Sequence, residues 1–330
     1  MTGTVLRLGT RKSPMAMAQS GQVAKLITAR TGARVELVGL TSFGDVTGVH
    51  LSEIGGTGVF VSALRESLQH GDVDLAVHSL KDLPTAPVPG IVLAAVPARE
   101  DPRDALAGRD GAKLADLPPG ATIGTGSPRR AAQLLLMRPD IRPVPVRGNA
   151  GTRLAKVTSG DLDAVVLACA GLARIGRLDL VTEIFDPDAM VPAPGQGALA
   201  VECRAGTGEL AGLLAEVDDP ASRAAVTAER TVLAELEAGC SAPLGAYAAG
   251  TDILRLTATV VAGDGLAAVR ASMSGPAAQA AELGRDMAAE LLRQGAGTIV
   301  AGSIAQAAPG ERAPGPAAKP GALGNGDDAQ

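Results

Sequence analysis

Short apolar runs alternate along the chain with longer stretches in which apolar residues recur every three or four positions, and Gly or Pro marks most junctions. That alternation predicts strands followed by helices, the pattern of an α/β protein. Runs at 5–9, 34–40, 74–77, 91–96, 121–125, 141–146 and 163–168 read as strands. The helical period fills 14–30, 60–70 and 220–238, the last with Gly239 placed at the C′ position to end it. Strands at 253–261 and 266–274 then precede a helix over 277–293, a small α+β unit. The charged segment 99–106, REDPRDAL, reads as a crossover between domains, and 191–204, VPAPGQGALAVECR, crosses back through Pro and Gly into a strand. Residues 41–58 form a long Gly-rich loop without periodicity, a kind that is functional or disordered in compact domains. From 307 to 330 the chain is Pro, Gly and Ala with scattered charge, which predicts disorder.

Composition narrows the choice of partners. The 330 residues suffice for two or three domains. Aromatics make up only 1%, so the cores must be aliphatic and each Phe needs a reason. Phe43 lies inside the Gly-rich loop and Phe60 just after it, positions for contact with a flat ligand or for anchoring the loop. A net charge of −5 argues against nonspecific nucleic-acid binding and for a small anionic ligand at any local Arg cluster. Three Cys far apart fit a reducing compartment better than a disulfide framework, and three scattered His give no metal-site spacing. With no basic-then-apolar leader and no apolar run of spanning length, a soluble cytoplasmic protein is expected.

The candidate chemistry sits where strands run into helices. Ser127 and Pro128 fit the N-cap and first turn of a helix, yet Arg129 and Arg130 follow. Cations at a helix N-terminus oppose its dipole by roughly 0.3–1 kcal/mol each. An anion held by the Arg side chains and free N–H groups would relieve the conflict. A second junction follows, with Arg147 after a strand and Arg153 in the next helical turn. Residues 9–19, GTRKSPMAMAQ, echo 124–133, GTGSPRRAAQ, a weak internal repeat suggesting two similar domains that face each other, with Arg11 the contribution of the first. Solvated surface Arg clusters are the plainer alternative for any single Arg. Lys81 and Asp82 lie at the end of a predicted strand, where open α/β sheets place ligands, although a structural ion pair would look the same. Cys169 and Cys203 sit in apolar surroundings as core residues. Cys240, in the loop GCSAPLG, is the candidate nucleophile or attachment site, with an incidental loop thiol as the alternative.

These motifs together resemble the porphobilinogen deaminase (hydroxymethylbilane synthase) family. The matching segments are LGTRKSPMAMAQ (8–19), VHSLKDLPT (77–85), REDPRDA (99–105), IGTGSPRR (123–130), VRGNAGTRL (146–154), LACAGLARIG (167–176), PGQGALAVECR (194–204) and AGCSAPLGAYA (238–248). They occur in family order and cover the chain except its tail. The resemblance implies two periplasmic-binding-protein-like α/β domains facing a cleft, 1–98 completed by 197–216 and then 99–196, plus a C-terminal α+β domain over 217–306. It implies one dipyrromethane cofactor joined by a thioether to Cys240. Porphobilinogen units are added to it in turn with loss of ammonia, and a linear tetrapyrrole is released. By the same resemblance Asp82 is catalytic, stabilising the cationic azafulvene left when ammonia departs. Ser79, Lys81, Ser127, Arg129, Arg130 and Arg147 contact the cofactor. Arg11, Gln19, Phe60, Arg147, Arg153 and Arg174 contact the substrate.

The Arg set suits a growing polyanion, since each added unit brings two carboxylates. Arg129 and Arg130 are then expected at their helix N-terminus because the ligand supplies the missing negative charge. Phe43 and Thr57 stand where the family more often has basic residues, so the first loop is expected to close more by apolar contact than by ion pairing. The resemblance also implies a monomer that binds neither nucleic acid nor membrane and needs no metal. A non-catalytic small-anion binding protein with the same cleft is the rival reading.

Overall fold

The computed structural model describes residues 5–40, 58–239 and 242–307. The sequence-based expectations for residues 41–57, Phe43 and Thr57 among them, for Cys240 and for the tail from 308 therefore fall outside the described residues.

The strands form three sheets. The first contains β1 (Val5–Arg11), β2 (Arg34–Leu40), β3 (Leu75–Ser79) and β4 (Ile91–Ala95), with α1 (Pro14–Thr31) and α2 (Gly58–His70) between them. The second contains β5 (Asp104–Gly108), β6 (Thr122–Gly124), β7 (Arg142–Val144), β8 (Ala164–Ala168) and β9 (Glu183–Ile184). Its helices are α3 (Pro128–Met137), α4 (Ala150–Thr158) and α5 (Cys169–Arg174). The chain then returns to the first sheet as β10 (Leu199–Arg204), followed by α6 (Gly208–Ala215) and α7 (Pro220–Glu235). A third, antiparallel sheet of β11 (Leu244–Ala249), β12 (Ile253–Val261) and β13 (Ala268–Pro276) is covered by α7, α8 (Ala280–Arg293) and α9 (Ala296–Ala307).

The first two sheets share one plan. Their orders are β2-β1-β3-β10-β4 and β7-β6-β8-β5-β9. In each, three parallel strands meet one antiparallel strand, which pairs in turn with an edge strand. The antiparallel member is the strand that has just crossed from the other sheet. Buried aliphatic side chains fill both sheets, as the shortage of aromatics requires. The sequence echo between 9–19 and 124–133 is a real structural repeat. Ser13 caps α1, its Oγ accepting from Ala16 N at 3.3 Å, and Ser127 caps α3, accepting from Arg130 N at 3.4 Å. Each is followed by Pro in the first turn.

Three expectations change. The segment 99–106 is not all crossover: from Asp104 it is strand β5, and Asp104 itself is fully buried. A charged residue tolerates that place because two arginines neutralise it. The third sheet has one more strand than predicted, β11, and the chain continues past α8 into α9. Finally, α7 stops at Glu235, and Glu237 rather than Gly239 turns left-handed, at φ 48°. Ala238 N donates to Leu233 O at 3.1 Å and Glu237 N to Ala234 O at 3.0 Å, the paired bonds of a Schellman ending.

An exposed non-Gly residue in that conformation carries a backbone penalty of roughly 1 kcal/mol. Glu237→Gly is expected to raise stability by about 0.5–1 kcal/mol, read as a shift of the urea midpoint without a change of slope.

Candidate active site

Parallel strands of both sheets deliver their C-terminal ends to one cleft. In the first sheet β1 ends on Arg11 and β3 on Ser79, and a one-turn 3-10 helix, Leu80–Asp82, follows directly. In the second, β8 hands over to α5 at Ala168. The enclosed space is about 260 Å³ and is lined by Arg11, Gln19, Ser79, Lys81, Asp82 and Arg174, among others. Of the expected site residues, Ser127, Arg129, Arg130, Arg147 and Arg153 are not in this lining. Phe60 starts in the first turn of α2, and its side chain is outside the described set.

Two of the cleft cations, Lys81 and Arg174, have defined settings. Lys81 Nζ donates to Gln196 Oε1 at 3.2 Å. Desolvation first, then the neighbouring Arg130, pulls its pKa down to about 8. Arg174 Nε lies 2.9 Å from Glu100 Oε2, and Nη2 donates to Gly197 O at 3.1 Å. Burial lowers its pKa, with Glu100 opposing. Gly197 can be nothing larger: its φ is +87° and a Cβ would stand 2.5 Å from Glu100 O. His78, on the cleft wall, lies 3.1 Å from Glu202 Oε2, and Arg65 donates to both oxygens of that carboxylate. Burial would raise Glu202, but hydrogen bonds from His78 and Arg65 prevail and hold it at about 2.

Arg129 and Arg130 depart from expectation. Both are buried, and the negative charge at their helix N-terminus comes from the protein itself. Arg129 Nη1 lies 2.8 Å from Asp104 Oδ2, and Arg130 Nη2 lies 2.8 Å from Oδ1. Arg129 also donates to Val191 O at 2.7 Å and Arg130 to Val166 O at 3.2 Å. Burial opposes ionisation of Asp104, but the two guanidinium groups prevail and hold its carboxyl well below the usual range.

Gln196, which sequence reasoning did not single out, joins this pair to the cleft. Its Nε2 donates to Asp104 Oδ1 at 2.9 Å and to Pro102 O at 2.7 Å, while its Oε1 accepts from Lys81 and from Arg130 at 3.4 Å. The signal available was its place between two glycines that both prove to have positive φ, Gly195 and Gly197. Ser127 is occupied as the α3 cap. Arg147 is exposed, and Arg153 Nε donates to Gly148 O at 2.9 Å.

Comparison with known sequences decides what this arrangement belongs to. A family profile described as "Porphobilinogen deaminase, dipyromethane cofactor binding domain" matches residues 6–211, and "Porphobilinogen deaminase, C-terminal domain" matches 223–293. The chain belongs to the porphobilinogen deaminase family. The porphobilinogen deaminase of Thermobifida fusca is 64% identical over 316 residues, covering 92% of this chain and 98% of the relative. Porphobilinogen deaminase 1 of Streptomyces coelicolor is 55% identical, with 91% and 98% covered. Among solved structures, a periplasmic substrate-binding protein of an ABC transporter from Coxiella burnetii aligns at a TM-score of 0.41 with 18% identity, over 66% of this chain and 94% of that one.

Porphobilinogen deaminases are transferases of tetrapyrrole biosynthesis, and the dipyrromethane cofactor of the family fits the groups present. Its carboxylates call for cations, which the cleft offers in Arg11, Lys81 and Arg174, and its pyrrole N–H groups call for an acceptor, which Asp82 offers. Among the described residues no ion pair engages Lys81, Asp82, Arg147 or Arg153. The rival reading, a non-catalytic anion-binding protein, gains no support from the porphobilinogen deaminase match.

Two measurements follow. Asp104→Asn leaves two buried arginines without their counter-charge and should cost about 3–5 kcal/mol at neutral pH. Because folding depresses this carboxyl, its contribution is present above the unfolded value of about 4 and is lost as pH falls below it. Wild type and variant should therefore converge in urea stability under acid. Conversely, Lys81 loses its charge as pH rises through about 8. Loading of the dipyrromethane, read as the modified fraction by intact mass, should fall across that range in wild type and stay flat in Lys81→Met.

Proposed function

We propose that this cleft joins porphobilinogen units with Asp82 as the catalytic carboxylate and Cys240 as the attachment point of the dipyrromethane primer. The observation that carries the reading is one carboxylate, Asp82, set beside Lys81 on a single helical turn and sharing a cleft with Arg11 and Arg174. When bound, the dipyrromethane supplies the pyrrole carbon to which an incoming unit is joined. The chain's own residues bind, orient and balance charge.

Arg11 and Arg174 receive the acetate and propionate groups of the substrate, with Gln19 beside them. Their planar forks suit carboxylates. Arg147 and Arg153 extend this cationic supply to the growing chain, and Ser79 and Lys81 hold the primer's carboxylates. Ser127, Arg129 and Arg130 act from behind, the arginines through Gln196 on Lys81. As the aminomethyl C–N bond of porphobilinogen breaks and ammonia leaves, positive charge spreads over the methylene-pyrrole. The Asp82 carboxylate stabilises it in place. The new C–C bond then forms, and the displaced ring proton passes to Asp82 or to water.

Each sheet is the core of one domain, 1–98 with 197–216, 99–196, and 217–306. The enzyme works as a cytoplasmic monomer. No helix among the described residues is long and apolar enough to cross a membrane.

The intact mass of the purified protein tests the attachment. Wild type should carry an excess equal to two linked pyrrole units, absent in Cys240→Ser. An unmodified wild-type mass that persists after incubation with porphobilinogen would overturn the reading. Asp82→Asn should keep the adduct while losing about 10²–10⁴-fold in turnover.

A further inference from the structure

We propose that Arg230, on the helix that leads to Cys240, is a positioning residue that fixes the Asp82 loop. The inference rests on the catalytic reading of Asp82 given above. Arg230 Nη1 donates to Leu80 O at 3.1 Å and to Leu83 O at 2.7 Å, and Nη2 donates to Pro84 O at 2.9 Å. One guanidinium thus grips the backbone on both sides of Lys81 and Asp82.

Among the described residues two further backbone hydrogen bonds hold the loop, beside the apolar packing of Leu80 and Leu83. Leu80 N donates to Ala198 O at 3.0 Å and Leu83 N to Leu80 O at 3.2 Å, while Pro84 has no N–H to give. Leu83 O and Pro84 O lie past the turn, where a backbone carbonyl needs a donor from elsewhere, and the guanidinium supplies one to each. A planar fork serves three carbonyls at once, which a Lys ammonium on its single flexible stem does not.

The grip is rigid at its other end. Val226, one turn earlier on α7, packs in the same apolar cluster as Leu80 and Leu83. Glu229, fully buried beside Arg230, accepts from Gly195 N at 2.7 Å and Ala248 N at 2.8 Å and pairs with Arg99 at 2.6 Å. The helix is therefore locked to a crossover and to the third sheet before it touches the loop. It ends at Glu235, shortly before Cys240 in sequence. The residue that acts on the incoming unit is thus held by the helix that precedes the primer-bearing residue in sequence.

Because Arg230 holds the backbone around Asp82, its loss should act on the chemical step more than on binding. Arg230→Met is expected to lower kcat about 10²-fold with little change in KM. Arg230→Lys should recover part of it. In an Asp82→Asn background, adding Arg230→Met should lower the residual turnover no further, because the two act as one unit. Intact mass establishes that each variant carries its dipyrromethane.

Independently of activity, amide exchange in the 79–85 segment should quicken about tenfold or more in Arg230→Met, with the second sheet unchanged. An unchanged kcat, an equal-fold loss in both backgrounds, unchanged exchange at 79–85, or exchange raised alike in every segment would each overturn the proposal. Full turnover by Asp82→Asn would instead remove the role given to Asp82, and the exchange measurement would still decide whether Arg230 holds the loop.

Discussion

Burying a carboxylate away from water costs several kcal/mol unless cations come to meet it. Asp104 meets that condition by drawing in Arg129 and Arg130 from the first turn of α3. Much else is oriented by this one arrangement. It sets the direction of the α3 N-terminus, gives Gln196 an anion to donate to, and through Gln196 reaches Lys81 across the junction of the two sheets. Two guanidinium groups share one carboxylate, so positive charge is left over. Lys81 feels the excess, Arg130 being the largest contribution after desolvation to its lowered pKa. Part of the cationic character of the cleft is thus set from behind its lining, by the pairing at Asp104 acting through Gln196.

Local features were legible in the sequence because they follow from local rules. The strand, Ser-Pro, helix junctions, with Arg11 at the first of them, and the placement of Lys81 and Asp82 just past β3 come from short-range signals and sheet topology, whereas Arg174 was placed at the cleft by the family resemblance alone. The counter-charge of Arg129 and Arg130 was read as a ligand because its true source is distant in the chain: Arg130 and Asp104 are 26 residues apart. Arg230 and Leu80, 150 apart, show the same limit more strongly. Asp104 was further masked by its neighbours. A charged run such as REDPRDAL reads as solvated crossover, and only pairing in three dimensions makes its last part a buried strand. At the end of α7, Gly239 offered the better left-handed residue, but the chain turns two positions earlier, where Ala238 N reaches Leu233 O.

Charged and polar links between the sheets gather at the two crossovers, beside apolar contacts such as that of Val226 with Leu80 and Leu83. Arg99 Nε donates to Gln196 O at 2.8 Å, tying one crossing segment to the other, and its guanidinium continues to Glu229 on α7. Tyr247 of the third sheet lies under the same guanidinium, 5.4 Å from ring centroid to cation. Apolar packing is mostly kept within each sheet and its helices, while these directional contacts set how the sheets stand to one another. Directional bonds specify orientation more sharply than apolar area does, which suits a cleft whose opposing walls carry matched groups.

The return of β10 has a consequence for the birth of the molecule. This strand lies between β3 and β4, so β4 has no neighbour in its sheet until the chain has reached Arg204. The second sheet needs nothing beyond Ile184. During translation the middle of the polypeptide therefore completes first, while the segment made earliest waits with two open strand edges. Such edges invite pairing with other chains. A ribosome paused with Leu199 still inside its exit tunnel and Ile184 already outside would hold a finished sheet beside an unfinished one, and the nascent protein would then be at its most vulnerable to aggregation.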